Sequence, residues 1–393
     1  MQSSLEIGAW GPVIVDMECD ASNLDDDLAI SVFPEAEFEV RETGENLFQL
    51  IPRMPLSAGS DYRISVSCGQ YQQEISLSVR EQCILFIGDP FGTSEIWKKC
   101  PGEEPVQITY TVGQISDFNV SRDGNSIIFS LKEVAGKAGN FYQIGRNGEK
   151  STDLLTCPDG ICRELTFNPF MQMYAYAQIG SPNRLVVLNQ DLEEIFIQDA
   201  LAADLQFSPD GKFLSFLNED QGVAEILNLQ NFQIQRYGSG SGLIGSWSAD
   251  SENLLAGENV FSGGLPETRI FEINAQEGSE SFLFQTGDTQ IEIYSPIYSG
   301  KPWWLIAAVR ERGAGFSRQL WWVRKDGSEF EAITDDYRYS HASASWDPDF
   351  SQLLFQRVRI DVSDGMPEVL LWNSNEGEFE LIAKNASNPR WLP

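Results

Sequence analysis

The chain carries a single histidine, His341, so any Ser/His/Asp triad would have to be built on it. No serine stands in a G-x-S-x-G turn that would expose a nucleophile beside it. The same count excludes a metal site held by several histidines. Residues 240–245 read GSGLIG, the letters of a dinucleotide-binding turn. Trp247 and a Ser-Ala-Asp-Ser run follow where a helix would have to start, so no helix N-terminus can face a pyrophosphate. No G-x-x-x-x-G-K-[ST] loop occurs either. Asp25, Asp26 and Asp27 form an acidic run that could give oxygens to calcium, but the D-x-[DN]-x-[DN]-G spacing is absent. A solvated turn is expected there, with calcium as the alternative and no other metal or cofactor.

The segment DDYRYSHAS at 335–343 sets Tyr337, Arg338, Tyr339 and His341 close together. Flat aromatic rings mixed with hydrogen-bond donors are the chemistry of binding hot spots, so these four are the expected ligand-binding residues. The competing expectation is that the rings cover a seam between repeats and that the lone histidine lies in a surface loop. Asp335, Asp336, Asp361 and Asp364 are the carboxylates from which an acid/base pair for polysaccharide cleavage would be drawn.

Six cysteines accompany that one histidine, with no C-x-x-C pair, and this suits disulfides better than zinc. Proximity pairs Cys157 with Cys162 across CPDGIC and Cys83 with Cys100 across a hairpin, leaving Cys19 with Cys68. Six cysteines allow fifteen connectivities, so the pairing stays open. Disulfides place the chain outside the cytosol, in the periplasm, at the cell surface or secreted. The net charge of −31 repels phosphate backbones and anionic head groups, which argues against nucleic-acid and membrane-surface partners. The longest apolar run, PWWLIAAV at 302–309, has the length of a strand rather than of a membrane span. MQSSLEIG has neither basic nor apolar character, so an export signal or anchor is expected to be missing from this chain.

Short alternating apolar runs bounded by Gly, Asp, Asn and Pro recur throughout, and a 3.6-residue period hardly anywhere, so the protein is expected to be nearly all β. Residues 1–82 give about six strands, GPVIVDM, LAISVFP, EFEVRE, LFQLIP, YRISVSC and EISLSVR, enough for a two-sheet sandwich. With Pro34 ending one strand, Pro52, and the run Leu56, Gly59, Tyr62, Ile64 and Val66, this segment resembles bacterial Ig-like domains. That resemblance implies a spacer.

From residue 83 to 393 a repeat takes over. A large residue before a Ser/Asn/Asp-Pro-Asp turn recurs at Val120, Phe167, Phe207, Trp247, Tyr294, Trp346 and Trp391, at intervals of 40 to 52 residues. The clean copy, LQFSPDG followed by FLSFL, AEILNL and FQIQRY, supplies four strands, the content of one propeller blade. Residues 84–109 give three strands with no anchor before them, and NPRWLP at 388–393 gives an anchor with no strands after it. Joined, the two ends complete a seventh blade and close the ring; six or eight blades are the alternatives. The repeat resembles the TolB-type, WD-like propeller on Phe207 to Gly211, Trp346 to Asp349 and the Asn147-Gly148 and Asp326-Gly327 turns. Such propellers serve as partner platforms, as lyases and as gating domains of peptidases, and the lyase branch is expected to use several histidines, which are missing here.

The sequence therefore predicts an all-β protein, an Ig-like sandwich before a seven-bladed propeller. Its expected function is binding without catalysis, the rim engaging a protein or glycan of the cell envelope. The alternatives are a polysaccharide-acting enzyme using the rim carboxylates and a purely structural component of an extracellular complex.

Overall fold

A computed structural model describes residues 4–17, 28–44, 46–89, 92–111, 114–132, 138–149, 151–157, 161–168, 170–238, 242–262, 265–287, 291–311, 313 and 315–393. The described residues are strands and turns without a helix. The acidic run Asp25 to Asp27 and Cys19 lie outside them.

The first 79 residues build two facing sheets. Leu5–Ile7, Tyr71–Val79, Asp61–Cys68 and Leu28–Phe33 form one, and Val13–Asp16, Leu47–Pro52 and Phe38–Gly44 the other. Val13–Asp16 is buried at every second residue, the signature of a strand with one face on a core. Val13, Val15, Phe48, Leu50, Ile64, Val66 and Leu77 meet between the sheets. Tyr62 fills one end, and its hydroxyl accepts the Ser57 N–H at 3.2 Å, tying the ring to the turn through Gly59.

Seven four-stranded antiparallel sheets follow among the described residues. Sheets I to VI span residues 114–156, 161–199, 202–237, 242–285, 291–332 and 339–384, each starting with its innermost strand. Sheet VII is the composite read from the sequence. The last strand, Ala386–Leu392, pairs with Cys83–Gly88, and Glu95–Lys99 and Val106–Gln107 complete it. Trp391 sits opposite Ile84 and Leu392 opposite Cys83, so the seam edge carries hydrogen bonds instead of lying open. The innermost strands of sheets VII, I, II and III lie side by side, as do those of IV and V and those of VI and VII. The arrangement is a β-propeller.

In sheets I, III and IV the innermost strand ends in the same turn because Ser and Asp close it from within. In sheet III the Ser208 hydroxyl donates to Asp210 at 2.7 Å and accepts the Phe213 N–H at 3.0 Å. Ser121 with Asp123 and Ser248 with Asp250 repeat the pattern. Gly211 has φ +74° and a Cβ there would meet the Asn168 amide at 2.5 Å, so only glycine fits against the preceding sheet. The anchors pack across sheets: Trp247 stacks on Phe213 at 6.1 Å and donates its indole N–H to the Gln206 carbonyl, both in sheet III. Trp391 donates likewise to the Ser345 carbonyl of sheet VI.

One anchor needs correction. Val120, Phe167, Phe207, Trp247 and Trp346 pair with the residue seven positions on, and in sheet V the residue that does so is Tyr298, opposite Leu305. Tyr294 instead precedes a bulge at Ser295-Pro296, whose letters imitate the turn. The cysteine pairs Cys83–Cys100 and Cys157–Cys162 are disulfides. Cys68 is disulfide-bonded too. Among the described residues no helix is long and apolar enough to cross a membrane.

Candidate functional site: the axial cavity and the open rim

Alternate residues of a strand face the same side, and in the innermost strands that side is the axis. Two tiers result, three residues and one residue before each anchor. The first tier is Asp117, Glu164, Asp204, Ile244, Ser295, Ser343 and Asn388, polar in all sheets but IV. The second tier includes Asn119, Thr166, Gln206, Ser345 and Arg390. A packed core would not tolerate this composition, and around the axis it surrounds a cavity of about 770 Å³.

The first tier is also where the strands bulge. Glu164, Asp204, Ser295, Ser343 and Asn388 have φ between +45° and +58°, a left-handed conformation that costs a non-glycine residue ~1 kcal/mol or more. Each lies at a register shift against the second strand of its sheet. Hydrogen bonds hold the bulges. The Leu205 N–H donates to Glu164 at 3.2 Å, the Asn388 amide to Asp117 at 2.6 Å, and the Gln356 side-chain oxygen accepts the Asn388 N–H at 2.7 Å.

The three carboxyl groups stand on consecutive sheets, and Arg390 is the cation among them. Burial raises Asp117 above the ordinary carboxylate range, against the opposing pull of Arg390 and the Asn388 amide. Burial pushes Glu164 up to about 7, outweighing the Leu205 N–H, with Asp204 and Asp117 adding to the rise. Asp204 is raised as well, although its side chain has accessible surface, because the walls around it exclude most of the solvent. Burial lowers Arg390, and the three carboxylates oppose that.

The cavity is capped by the N-terminal sheets. Trp10, Pro55 and Gln82 reach it from that side. The Arg122 guanidinium lies 3.7 Å from the centre of the Trp10 ring, and burial lowers it to about 9. Arg80 donates to the Asp123 carbonyl at 3.0 Å and to Asn125 at 2.9 Å. Lys212 pairs with Glu39 at 3.1 Å. Residues 121–125 and 208–212 are turns between first and second strands, so the N-terminal unit covers the face formed by those turns. The opposite face, which carries the connections between second and third strands, is the rim singled out in the sequence.

On that rim three of the four expected residues gather, and the fourth is corrected. Tyr337 is exposed and its hydroxyl donates to Glu311. Arg338 grips Asp336 through two hydrogen bonds of 2.9 and 2.6 Å. Tyr339 lies under the Arg357 guanidinium, 4.1 Å away. His341 is not a surface group: it sits inside the innermost strand Tyr339–Trp346 and is 2 % exposed. Its Nδ1–H donates to the Arg318 carbonyl at 2.9 Å, its ring lies 5.6 Å from that of Phe355, and burial lowers it to about 4. It is a packing residue, neutral at physiological pH.

Two of the four rim carboxylates, Asp336 and Asp361, are held in ion pairs. Arg338 holds Asp336 down at about 2, and Arg359 keeps Asp361 below its usual range through hydrogen bonds of 2.7 and 3.1 Å. Neither can donate a proton near neutrality. Among the described residues no group of three or more His, Cys, Asp or Glu could hold a metal ion. The Gly-rich run continues as the strand Gly242–Trp247.

What the sequence reading missed is the axial cavity. A polar residue three positions before six of the seven anchors was the available signal. Phe261, Phe316 and Met366 are exposed at the connections of sheets IV, V and VI.

No protein-family model matches the chain, and no curated protein does. Solved structures are similar to it. A prolyl endopeptidase matches with a TM-score of 0.56 and 10 % identity over 90 % of this chain and 50 % of that one, so this chain spans half its length. The β-propeller domain of the Trilobed protease from Pyrococcus furiosus, described as having an open velcro topology, matches with a TM-score of 0.53 and 10 % identity over 83 % and 95 %. A putative TolB from Agrobacterium tumefaciens gives 0.48 and 16 % over 77 % and 89 %. The expectation of a protein without catalysis is corrected by these similarities, since the fold is shared with enzymes and so gives no ground for excluding one. What the similarities establish is the fold, a β-propeller.

Proposed function

We propose that the chain is an extracytoplasmic binding protein of the cell envelope that engages a partner protein through its open rim. In this reading residues 1–82 are an Ig-like spacer and residues 83–393 a seven-bladed, TolB-type propeller. The disulfides support an oxidising compartment.

The observation that carries the reading is where large apolar side chains stay in water. Phe261 is 78 % exposed, Phe316 82 % and Met366 58 %, at second-to-third strand connections of three consecutive sheets. Arg338 and Tyr337 stand beside them on the same face. Apolar side chains clustered within a polar and arginine-bearing surface mark protein contact sites. The other face is occupied by the N-terminal unit, which leaves this one for a partner.

The test is affinity capture from envelope fractions with the full chain and with the pair Phe261→Ser and Phe316→Ser. The reading expects one reproducible partner whose recovery falls at least ten-fold on substitution. Equal recovery by the substituted chain contradicts it.

A further inference from the structure

The axial cavity is lined by the carboxyl groups of Asp117, Glu164, Asp204 and Asp347 and by the guanidinium groups of Arg122 and Arg390. Four acids against two bases leave a formal excess of two negative charges, and one remains even where Glu164 is protonated. Arg390 stands among Asp117, Glu164 and Asp204 and cannot neutralise all three. Arg122 sits at the cap, stacked on Trp10.

Two side chains that line the void lack a partner. Asp204 forms no hydrogen bond or ion pair with the described residues, although its side chain has accessible surface. Thr166 lies in the second tier, on the axial side of its strand, and is 8 % exposed, yet its hydroxyl has no hydrogen-bond partner among the described residues. A buried polar group left unpaired costs its desolvation, and both of these groups accept hydrogen bonds, so a donor is what the site lacks.

One metal ion cannot supply it. Among the described residues no group of three or more His, Cys, Asp or Glu could share an ion, because Asp117, Glu164 and Asp204 are set apart on successive sheets around the axis. A cation that meets them must spread its charge along a chain. Across the ring, Tyr298 of sheet V and Trp346 and Phe350 of sheet VI line the same void. Ring faces attract ammonium groups and cover the methylenes between them.

We propose that this cavity, walled by the innermost strands and capped by Trp10 and Pro55, is a binding site for an aliphatic polyamine. Its ammonium groups donate to Asp204 and Thr166 and offset the negative excess on sheets I to III, while its methylenes lie against the rings of sheets V and VI. The volume of about 770 Å³ lies within the range of small-ligand sites. Glu164 gives the site a signature. Burial raises its carboxyl to about 7, with Asp204 and Asp117 adding to the rise, and an ammonium group beside them favours the ionised form, so binding at pH 7 releases protons.

The test is calorimetric titration of the full chain at pH 7 with spermidine and putrescine, repeated in buffers of different ionisation enthalpy. Calcium, maltotriose and trigalacturonate are the controls. One-to-one binding of at least one amine, tighter than every control and with proton release, is expected. Asp204→Asn keeps a residue tolerant of positive φ and should weaken binding about ten-fold or more; Thr166→Val keeps the branched shape and should weaken it about three-fold. Glu164→Gln keeps an acceptor for the Leu205 N–H and should abolish the proton release. The exposed acids Asp335 and Asp364 report on unspecific attraction to an acidic surface: the pair Asp335→Asn and Asp364→Asn should leave binding unchanged. Should Asp204→Asn fold poorly, Thr166→Val and the proton count decide. Absence of one-to-one binding by either amine, calcium binding as tightly, indifference to the cavity substitutions in folded protein, or loss of binding with the surface pair would overturn the proposal.

Discussion

The Leu205 N–H donates to the Glu164 carboxyl at 3.2 Å and so ties the bulge of sheet III to that of sheet II. The bond crosses between sheets at the axis, where two left-handed residues, Glu164 and Asp204, meet. Its consequence is that a titrating group holds the channel wall together.

Glu164 should make stability depend on pH above 4.5. Its carboxyl is raised from 4.5 to about 7 in the folded protein, so the folded state binds the extra proton between those values. Its contribution is complete below 4.5 and is lost as pH rises through 7, on the order of 2 to 3 kcal/mol. Denaturant titrations at pH 5 and 7.5 should show a smaller pH-dependent loss in Glu164→Gln than in the unsubstituted chain.

His341 should act with the opposite sign. It is lowered from 6.5 to about 4, so its contribution is complete above 6.5 and is lost as pH falls toward 4, again by on the order of 2 to 3 kcal/mol. The same titrations at pH 6.5 and 4.5 should show a shallower slope for His341→Gln, even if that variant is less stable throughout.

The two described disulfides should differ in worth because they close loops of different length. Cys83 and Cys100 are 17 residues apart and Cys157 and Cys162 only 5. Loop entropy gives about 3 kcal/mol for the first and about 2 for the second. Paired Cys→Ala variants compared in urea should show the larger loss at Cys83 and Cys100.

Removing the guanidinium of Arg122 should loosen the N-terminal unit. Arg122→Ala abolishes the stack on Trp10 and should cost about 2 kcal/mol. Limited proteolysis should then cut near residues 80–83 sooner than in the unsubstituted chain, with the propeller fragment surviving.

Much of this fold was legible because turns and anchors are local signals. Ser208, Asp210 and Gly211 close their turn through their own side chains and backbone, so the letters SPDG carry the geometry with them. The composite sheet was legible as an arithmetic remainder, an anchor at Trp391 without strands and strands at 84–109 without an anchor. Tyr294 misled because Ser-Pro serves a bulge as well as a turn, and only pairing with the neighbouring strand tells the two apart. His341 was misread because the segment 335–343 is polar along its length, while the burial of its last part depends on Phe355 and Arg318, which are distant in sequence. The axial carboxyl groups escaped notice for the same reason: Asp117, Glu164 and Asp204 are 40 or more residues apart, and only ring closure sets them around one cavity with Arg390.

The most direct test of the proposed function is site-specific photo-crosslinking in the envelope, with the reactive residue placed at Phe316 on the rim or at Trp303. Trp303 is 72 % exposed beside the Ser299–Lys301 turn on the opposite face. The account predicts a discrete adduct with one partner from position 316 and none from 303. An adduct from 303 with none from 316 would contradict it.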